Sequence, residues 1–507
     1  MRITIRKLPI IICMMTLAFF VFISENSRAQ VLERNIIGYY TSWSIYVRDY
    51  HVPDIPADEI THINYAFANI SNSAGTIVLG DWYADIDRYY PGDSWEPDSL
   101  RGCFHQLLIL KAQNPELKTF ISVGGWTWSV YFSNIALTEQ SRRIFAISCA
   151  EFVDQYGFDG VDIDWEYPVG GGEPGNIYRP EDKENYTLLL AEIRDQLDSL
   201  EIENNQEYLL TIAAPASLMI IENLEVDLIH QYLDWINIMS YDFHGPWGHV
   251  QDSLTNFNTP LFISPENPVP EPYYSSFNLN AAVEAYIALG VPLEKINPGL
   301  AFYGRGFGNV VNNNNGLFVD YQGPAPVGTW ENGVFDFWDL KQNYIDLNGY
   351  TSFRHEYAQV PWIFNPSAQI MISYDDSLSI SRKGEYIDSV GLGGVMLWEF
   401  SGDRNGVLLS SIYNELLSSV GECDYVIGDI NNSGNLNGLD VTYGVAYLKG
   451  GPSPPDDCEC TQGNIIFASG DVNNSCGFSG IDITYLVNYF KGGAEPVPCQ
   501  NCPPTGI

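Results

Sequence analysis

Residues 158–168 read Phe-Asp-Gly-Val-Asp-Ile-Asp-Trp-Glu-Tyr-Pro, and no other stretch restricts the fold of this chain as strongly. Apolar and acidic residues alternate there, which is the period of a pleated strand. Asp162, Asp164 and Glu166 share one face; Val161, Ile163 and Trp165 share the other. Three carboxyls in such proximity cannot all ionise easily, so their pKa values separate and at least one holds a proton near neutrality. A proton held beside charged neighbours is what general-acid chemistry on a glycoside requires. A calcium site and a solvated acidic strand edge are the alternatives. Calcium loops carry Gly and Asn between their carboxylates, however, whereas Val, Ile and Trp intervene here.

The chain has 507 residues, enough for more than one domain, and its largest part accommodates a (β/α)8 barrel. Arg2, Arg6 and Lys7 precede an apolar run over 8–23, and Ser27-Arg28-Ala29 supplies small residues before a cut. Residues 1–29 therefore read as a signal peptide, with an uncleaved anchor as the alternative. The expected location is extracellular, with no membrane contact after cleavage. A net charge of −39 repels nucleic acid and anionic membranes and favours neutral or cationic partners. Six of nine cysteines (Cys423, Cys458, Cys460, Cys476, Cys499 and Cys502) fall in the last 85 residues, which suggests up to three disulfides without choosing among the pairings. Cys103 and Cys149 lie on helical patterns, each either a free buried thiol or half of a bridge.

Strands are expected at 36–40, 61–68, 118–123, 158–164, 208–214, 235–240, 296–303 and 394–398, with helices including 98–113, 140–155 and 181–200. Eight strands with crossovers predict a closed α/β barrel whose active site lies at the C-terminal strand ends. Glu166, residues 124–128, Tyr241, Asp242 and Trp398 all fall at such ends. Between the seventh and eighth strands, residues 306–369 exceed any ordinary loop and predict a small α+β insertion walling a groove.

Beyond Ser419 the composition changes. Asp429, Asn431, Ser433, Asn435 and Asp440 occupy positions 1, 3, 5, 7 and 12 of a twelve-residue loop that leads into a helix. Asp471, Asn473, Ser475 and Asp482 repeat the pattern forty-two residues later. Oxygen ligands so spaced make half of an EF-hand, so structural Ca2+ is expected. Residues 420–494 resemble the dockerin family, whose partner is a cohesin-bearing scaffold; a calcium-stiffened spacer would read the same. Cys476 departs from the pattern by replacing the turn glycine of the second loop. Residues 495–507 read as an irregular tail.

Over most of 30–419 the chain resembles family-18 glycoside hydrolases, the chitinase family. Asp159-x-x-Asp162-x-Asp164-x-Glu166 fits the family signature. Ser122-Val-Gly124-Gly125, Met239-Ser-Tyr241-Asp242, Gly393-Gly-Val-Met-Leu-Trp398, Ile37-Gly-Tyr39-Tyr40 and Tyr303-Gly-Arg305 fit its other strand motifs. The resemblance implies retaining hydrolysis of chitin or chito-oligosaccharides, in which the substrate's acetamido oxygen attacks the anomeric carbon. It makes Glu166 the general acid, Asp164 the partner of the acetamido N–H, Asp162 the group sharing a proton with Asp164, and Tyr241 a donor to the acetamido oxygen. Asp242 would support the sugar, and Trp398 would form its floor.

Tyr39, Phe67, Gly125, Trp126, Tyr167, Met239, Tyr303 and Arg305 complete the expected substrate contacts. Trp43, Trp128 and Trp247 either line the groove or pack in the core. Asp159 faces away from the other acids and reads as a support, and His62 and His244 as structural histidines. No cofactor is expected for catalysis, and a monomer is the default. An endo-β-N-acetylglucosaminidase acting on glycoprotein glycans is one rival reading. A non-catalytic chitin lectin is another, though such relatives typically lose the acid. A third gives the protein's main role to scaffold assembly.

Overall fold

The computed structural model describes residues 34–96, 99–417, 425–453, 458–461, 464–475 and 477–498. The candidate signal segment 1–29 lies outside them, as do Cys423, Cys476, Cys499 and Cys502. Eight parallel strands close into a (β/α)8 barrel: Asn35–Thr41, His62–Ile70, Lys118–Gly124, Gly160–Asp164, Leu209–Pro215, Trp235–Met239, Ile296–Ala301 and Gly394–Trp398. Closure is made by the first strand, which pairs in parallel with both the second and the last. The lower interior is filled by Ile37, Phe120, Trp235 and Met396, and His62 packs edge-on to Trp235 at 4.7 Å. Burial pulls the His62 imidazole down to about 3, so it is a neutral core group.

Local chemistry fixes where the barrel helices begin and end. Thr138 Oγ1 accepts from Ser141 N, and Gly157 ends that helix (Glu139–Tyr156) in the left-handed region. Asp376 and Gly391 do the same for Ser377–Val390. The helix expected from residue 98 starts only at Gly102, whose φ of +67° seats it against the Asp85 backbone, where a Cβ would stand 2.5 Å from the carbonyl oxygen. Asp159 turns outward and accepts from Thr119 N at 2.8 Å and Lys111 Nζ at 2.6 Å, tying the third and fourth strands to the helix Gly102–Gln113. Cys103 and Cys149 are buried free thiols.

The seventh strand is shorter than its sequence pattern. It stops at Ala301, with Phe302 N still donating to the Trp398 carbonyl, before the chain leaves the barrel. Tyr303–Phe307 then opens a five-stranded antiparallel sheet, in the order Val334–Asp336, Tyr303–Phe307, Ile370–Ser373, Pro361–Asn365, Thr351–Arg354. Phe257, Phe307, Trp362, Phe364 and Met371 form its core.

Near the C-terminus two helices, Gly438–Leu448 and Gly480–Tyr489, each follow one of the duplicated loops. Ile430, Val472, Ile483 and Leu486 pack between these repeats. Val497 N donates to the Val472 carbonyl, so the start of the expected irregular tail is held against the second loop. Among the described residues no helix is long and apolar enough to cross a membrane.

One buried ion pair braces the barrel behind the second sheet. Lys383 Nζ lies 2.7 and 2.6 Å from the two Asp375 oxygens, and neither side chain reaches solvent. Thr259 and Ser379 hydroxyls donate to the same carboxylate. Removing one member strands the other charge in a dry interior, so Lys383→Ala should lower unfolding stability by about 3–5 kcal/mol in denaturant titrations.

Candidate active site

The C-terminal ends of the barrel strands open into one cleft of about 1180 Å³. Asp162 lies beneath it, fully buried. Its Oδ2 accepts from Tyr39 Oη and Ser122 Oγ, each at 2.7 Å. Its Oδ1 accepts from Thr211 Oγ1 at 2.7 Å and Asn237 Nδ2 at 3.4 Å. Burial raises the Asp162 pKa and these donors oppose it. No hydrogen bond joins Asp162 to Asp164 in this geometry. Four neutral donors saturate Asp162 instead, so it is held from its own side of the strand.

Asp164, one pleat further, is the reverse case. Its Oδ1 is buried without a hydrogen-bond partner. Burial first, then the charges of Glu166 and Asp162, hold its carboxyl well above the usual range. Glu166 is pushed up to about 7, chiefly by burial and further by Asp242, against a hydrogen bond from Tyr167. Protons leave such neighbours in steps that belong to the pair.

Around these acids the strand ends bring together nearly every residue expected at the site. Trp398 packs on Phe67, with rings 5.8 Å apart and 21° from parallel, and on Tyr39 at 5.3 Å. Arg305 grips Asp242 with both arms of its guanidinium, Nε to Oδ1 at 2.7 Å and a terminal nitrogen to Oδ2 at 2.6 Å. The same guanidinium lies over the rings of Trp247 and Tyr303. Among the described residues Tyr241 Oη finds only the Met396 sulfur as a hydrogen-bond acceptor, at 3.9 Å. Trp43, Trp126, Trp128, Tyr167 and Met239 also line the cleft.

Gly124 lines the cleft wall, and Gly125 follows it directly in the chain. Both glycines take positive φ, +108° and +77°. A Cβ on Gly124 would stand 2.4 Å from the Asp164 carbonyl, and one on Gly125 2.7 Å from the Phe67 ring. Close backbone approach requires glycine at both positions. His244 stays buried, its Nδ1 facing the Gln251 carbonyl.

Sequence reasoning missed a polar cluster at one end of the cleft. Arg48 lies 3.3 Å from Asp336 and 3.5 Å from Glu399. Asp336 also accepts from the indoles of Trp330 and Trp338. Arg48 follows the first strand by several residues and belongs to no motif. Only the acid set among the aromatics of Phe335-Asp336-Phe337-Trp338 was a visible sign.

The duplicated loops each turn two carboxylates inward. Asp429 and Asp440 are buried within the first, close enough that Asp429 raises the Asp440 carboxyl, although burial is the larger cause. Ser433 N donates to Asp429 and Asn437 N to Asp440, folding the loop around both acids. Asn432 and Gly434 turn it at φ of +50° and +78°. Asp471 and Asp482 stand likewise in the second loop, with Ser475 N and Ser479 N as donors. Asn473 Nδ2 adds a bond to Asp482. Among the described residues no three His, Cys, Asp or Glu side chains converge as a metal site. A cation here would need amide, hydroxyl and backbone oxygens beside the two carboxylates.

A family profile for glycosyl hydrolases family 18 matches residues 35–403. The chain belongs to that family. It is a glycoside hydrolase. Chitinase A1 of Niallia circulans is 44% identical over 411 residues, covering 75% of this chain and 58% of that protein, so the match spans little more than half of the relative. Chitinase 1 of Aphanocladium album is 38% identical over 73% of this chain and 81% of its own. Among solved structures, chitinase ChiA74 from Bacillus thuringiensis superposes with a TM-score of 0.71 at 39% identity, covering 76% of this chain and 70% of that one.

A general acid works only while protonated. With Glu166 raised to about 7, kcat/KM on a soluble glycoside should be level on the acid side of that value. Above it, kcat/KM should fall about tenfold per pH unit. A rate profile between pH 5 and 9 checks this.

Proposed function

We propose that the protein is an exported chitinase that hydrolyses β-1,4 bonds between N-acetylglucosamine units with retention. The observation that carries the reading is the pairing of unused groups in the cleft. Asp164 Oδ1 is a buried acceptor without a donor, and Tyr241 Oη is a donor without an oxygen acceptor. An acetamido group offers the complement of both: an N–H for Asp164 and a carbonyl for Tyr241.

Glu166 donates its proton to the glycosidic oxygen as the bond to the anomeric carbon breaks. The acetamido carbonyl oxygen bonds to that carbon from the opposite face and gives an oxazolinium ion. Asp164 accepts the N–H and offsets the positive charge. The Glu166 carboxylate then takes a proton from water, whose oxygen attacks the anomeric carbon and reopens the ring, so configuration is retained. Asp162, held from below by its four donors, shares a proton with Asp164 and takes that proton over as the Asp164 carboxylate turns to the acetamido N–H. Trp398 offers an indole face to the C–H face of the reacting sugar. The antiparallel sheet that starts at Tyr303 adds a wall, through Glu331, Val334 and Asp336, that suits a long single chain.

The two loops with buried acid pairs make a dockerin-like calcium module in this reading, with calcium supplying the counter-charge that lets both carboxylates ionise and a cohesin-bearing scaffold as its partner. Their support is the repeat itself and the inward-facing Asp429, Asp440, Asp471 and Asp482.

Glu166→Gln keeps the shape but gives up the proton. Release of oligosaccharides from colloidal chitin should fall by about 10²–10⁴ with chitin binding kept. A wild type that binds chitin and releases nothing would remove the proposal. For the module, calcium at one hundred times its dissociation constant should stabilise each loop by about 2.7 kcal/mol. Calorimetry of the full chain with calcium and with chelator reads this, and Asp440→Ala with Asp482→Ala should abolish the difference.

A further inference from the structure

The acid's own peptide is held by something other than the barrel ladder. The fourth strand ends at Asp164, so the N–H of Glu166, two residues on and buried, has no neighbouring strand to receive it. It donates to Ser129 Oγ at 2.8 Å. The Ser129 hydroxyl in turn faces two carbonyls, Gly125 at 2.9 Å and Asp164 at 3.2 Å. Gly125 N donates to the same Asp164 carbonyl at 2.8 Å.

One hydroxyl, closed to solvent, therefore joins the turn after the third strand, the end of the fourth and the peptide that carries the acid. Ser129 does not line the cleft and has no route to substrate. Nor does its hydroxyl cap its own helical turn, Ser129–Tyr131, which is closed by Phe132 N donating to the Ser129 carbonyl. The other side of the Glu166 peptide is held more loosely. Asn176 Nδ2, in a half-buried glycine-rich loop, donates to the Glu166 carbonyl at 3.1 Å.

We propose that Ser129 is a positioning residue for the reaction: its buried hydroxyl orients the Glu166 peptide and so sets where the acid's carboxyl meets the glycosidic oxygen. The inference rests on Glu166 being the general acid. An acid displaced by about 1 Å loses up to 10²-fold in rate. Substrate contacts are made by other residues, so the loss belongs in kcat rather than KM. A carboxyl less tightly enclosed also gives up its proton more easily, so the basic limb of the profile moves to lower pH.

The test is full-length Ser129→Ala assayed on a nitrophenyl chito-oligosaccharide across pH 5–9, with Tm measured in parallel. The expected result is a kcat lower by about 10- to 100-fold, a KM within about threefold of wild type, and a basic limb displaced to lower pH. A kcat and basic limb equal to those of wild type, with or without a lower Tm, would make Ser129 a structural brace only and overturn the proposal. Ser129→Cys, which keeps the volume and a weak donor, decides the matter if the alanine variant does not fold. It should show the same displacement in smaller measure, and a wild-type profile from it would also overturn the proposal. A wild type inactive on the substrate would instead sink the assignment of the acid, a separate failure.

Discussion

Three carboxyl groups follow one another at the end of a single strand inside a closed barrel, and the cost of taking their charges out of water governs the rest of the site. Water is not available to Asp162 at all, so the barrel surrounds it with Tyr39, Ser122, Thr211 and Asn237, one donor from each of four strands. Neutral donors stabilise a buried carboxylate without adding a second buried charge. Asp164 has no such shell, and the Glu166 carboxyl has Tyr167 as its hydrogen-bond donor. These two therefore hold protons more readily than an ordinary carboxyl.

That arrangement requires the third and fourth strands to meet very closely. Gly124 and Gly125 permit it by leaving out side chains where the Asp164 carbonyl and the Phe67 ring approach. Ser129 fills the remaining hydrogen-bond gap under the acid. On the far side of the cleft a second charge problem is solved differently. Asp242 is matched by the fork of Arg305, and the guanidinium is sandwiched by Tyr303 and Trp247. A planar, weakly hydrated cation suits this place, where a lysine could neither stack nor bind both oxygens.

The C-terminal repeats obey the same electrostatics with another outcome. Asp429 with Asp440, and Asp471 with Asp482, are turned inward by backbone donors. Buried like charges of this kind call for a proton or a cation between them.

Much of this was legible in the chain. The alternating acids, the glycine pair after Ser122, the eight β-rich segments and the duplicated loops are local patterns, and local patterns survive translation into structure because strand period and turn chemistry act over a few residues. Asp162, Asp164, Glu166, Tyr241, Asp242 and Trp398 were all identifiable before any fold was known. What the tertiary structure alone decided are the pairings between distant segments. The four donors that surround Asp162, the joining of Arg48 to Asp336 across 288 positions and the hold of Ser129 on Glu166 have no signature along the chain. They arise where closure of the barrel brings strand ends together, and there the desolvation of each polar group selects whichever partner the geometry supplies.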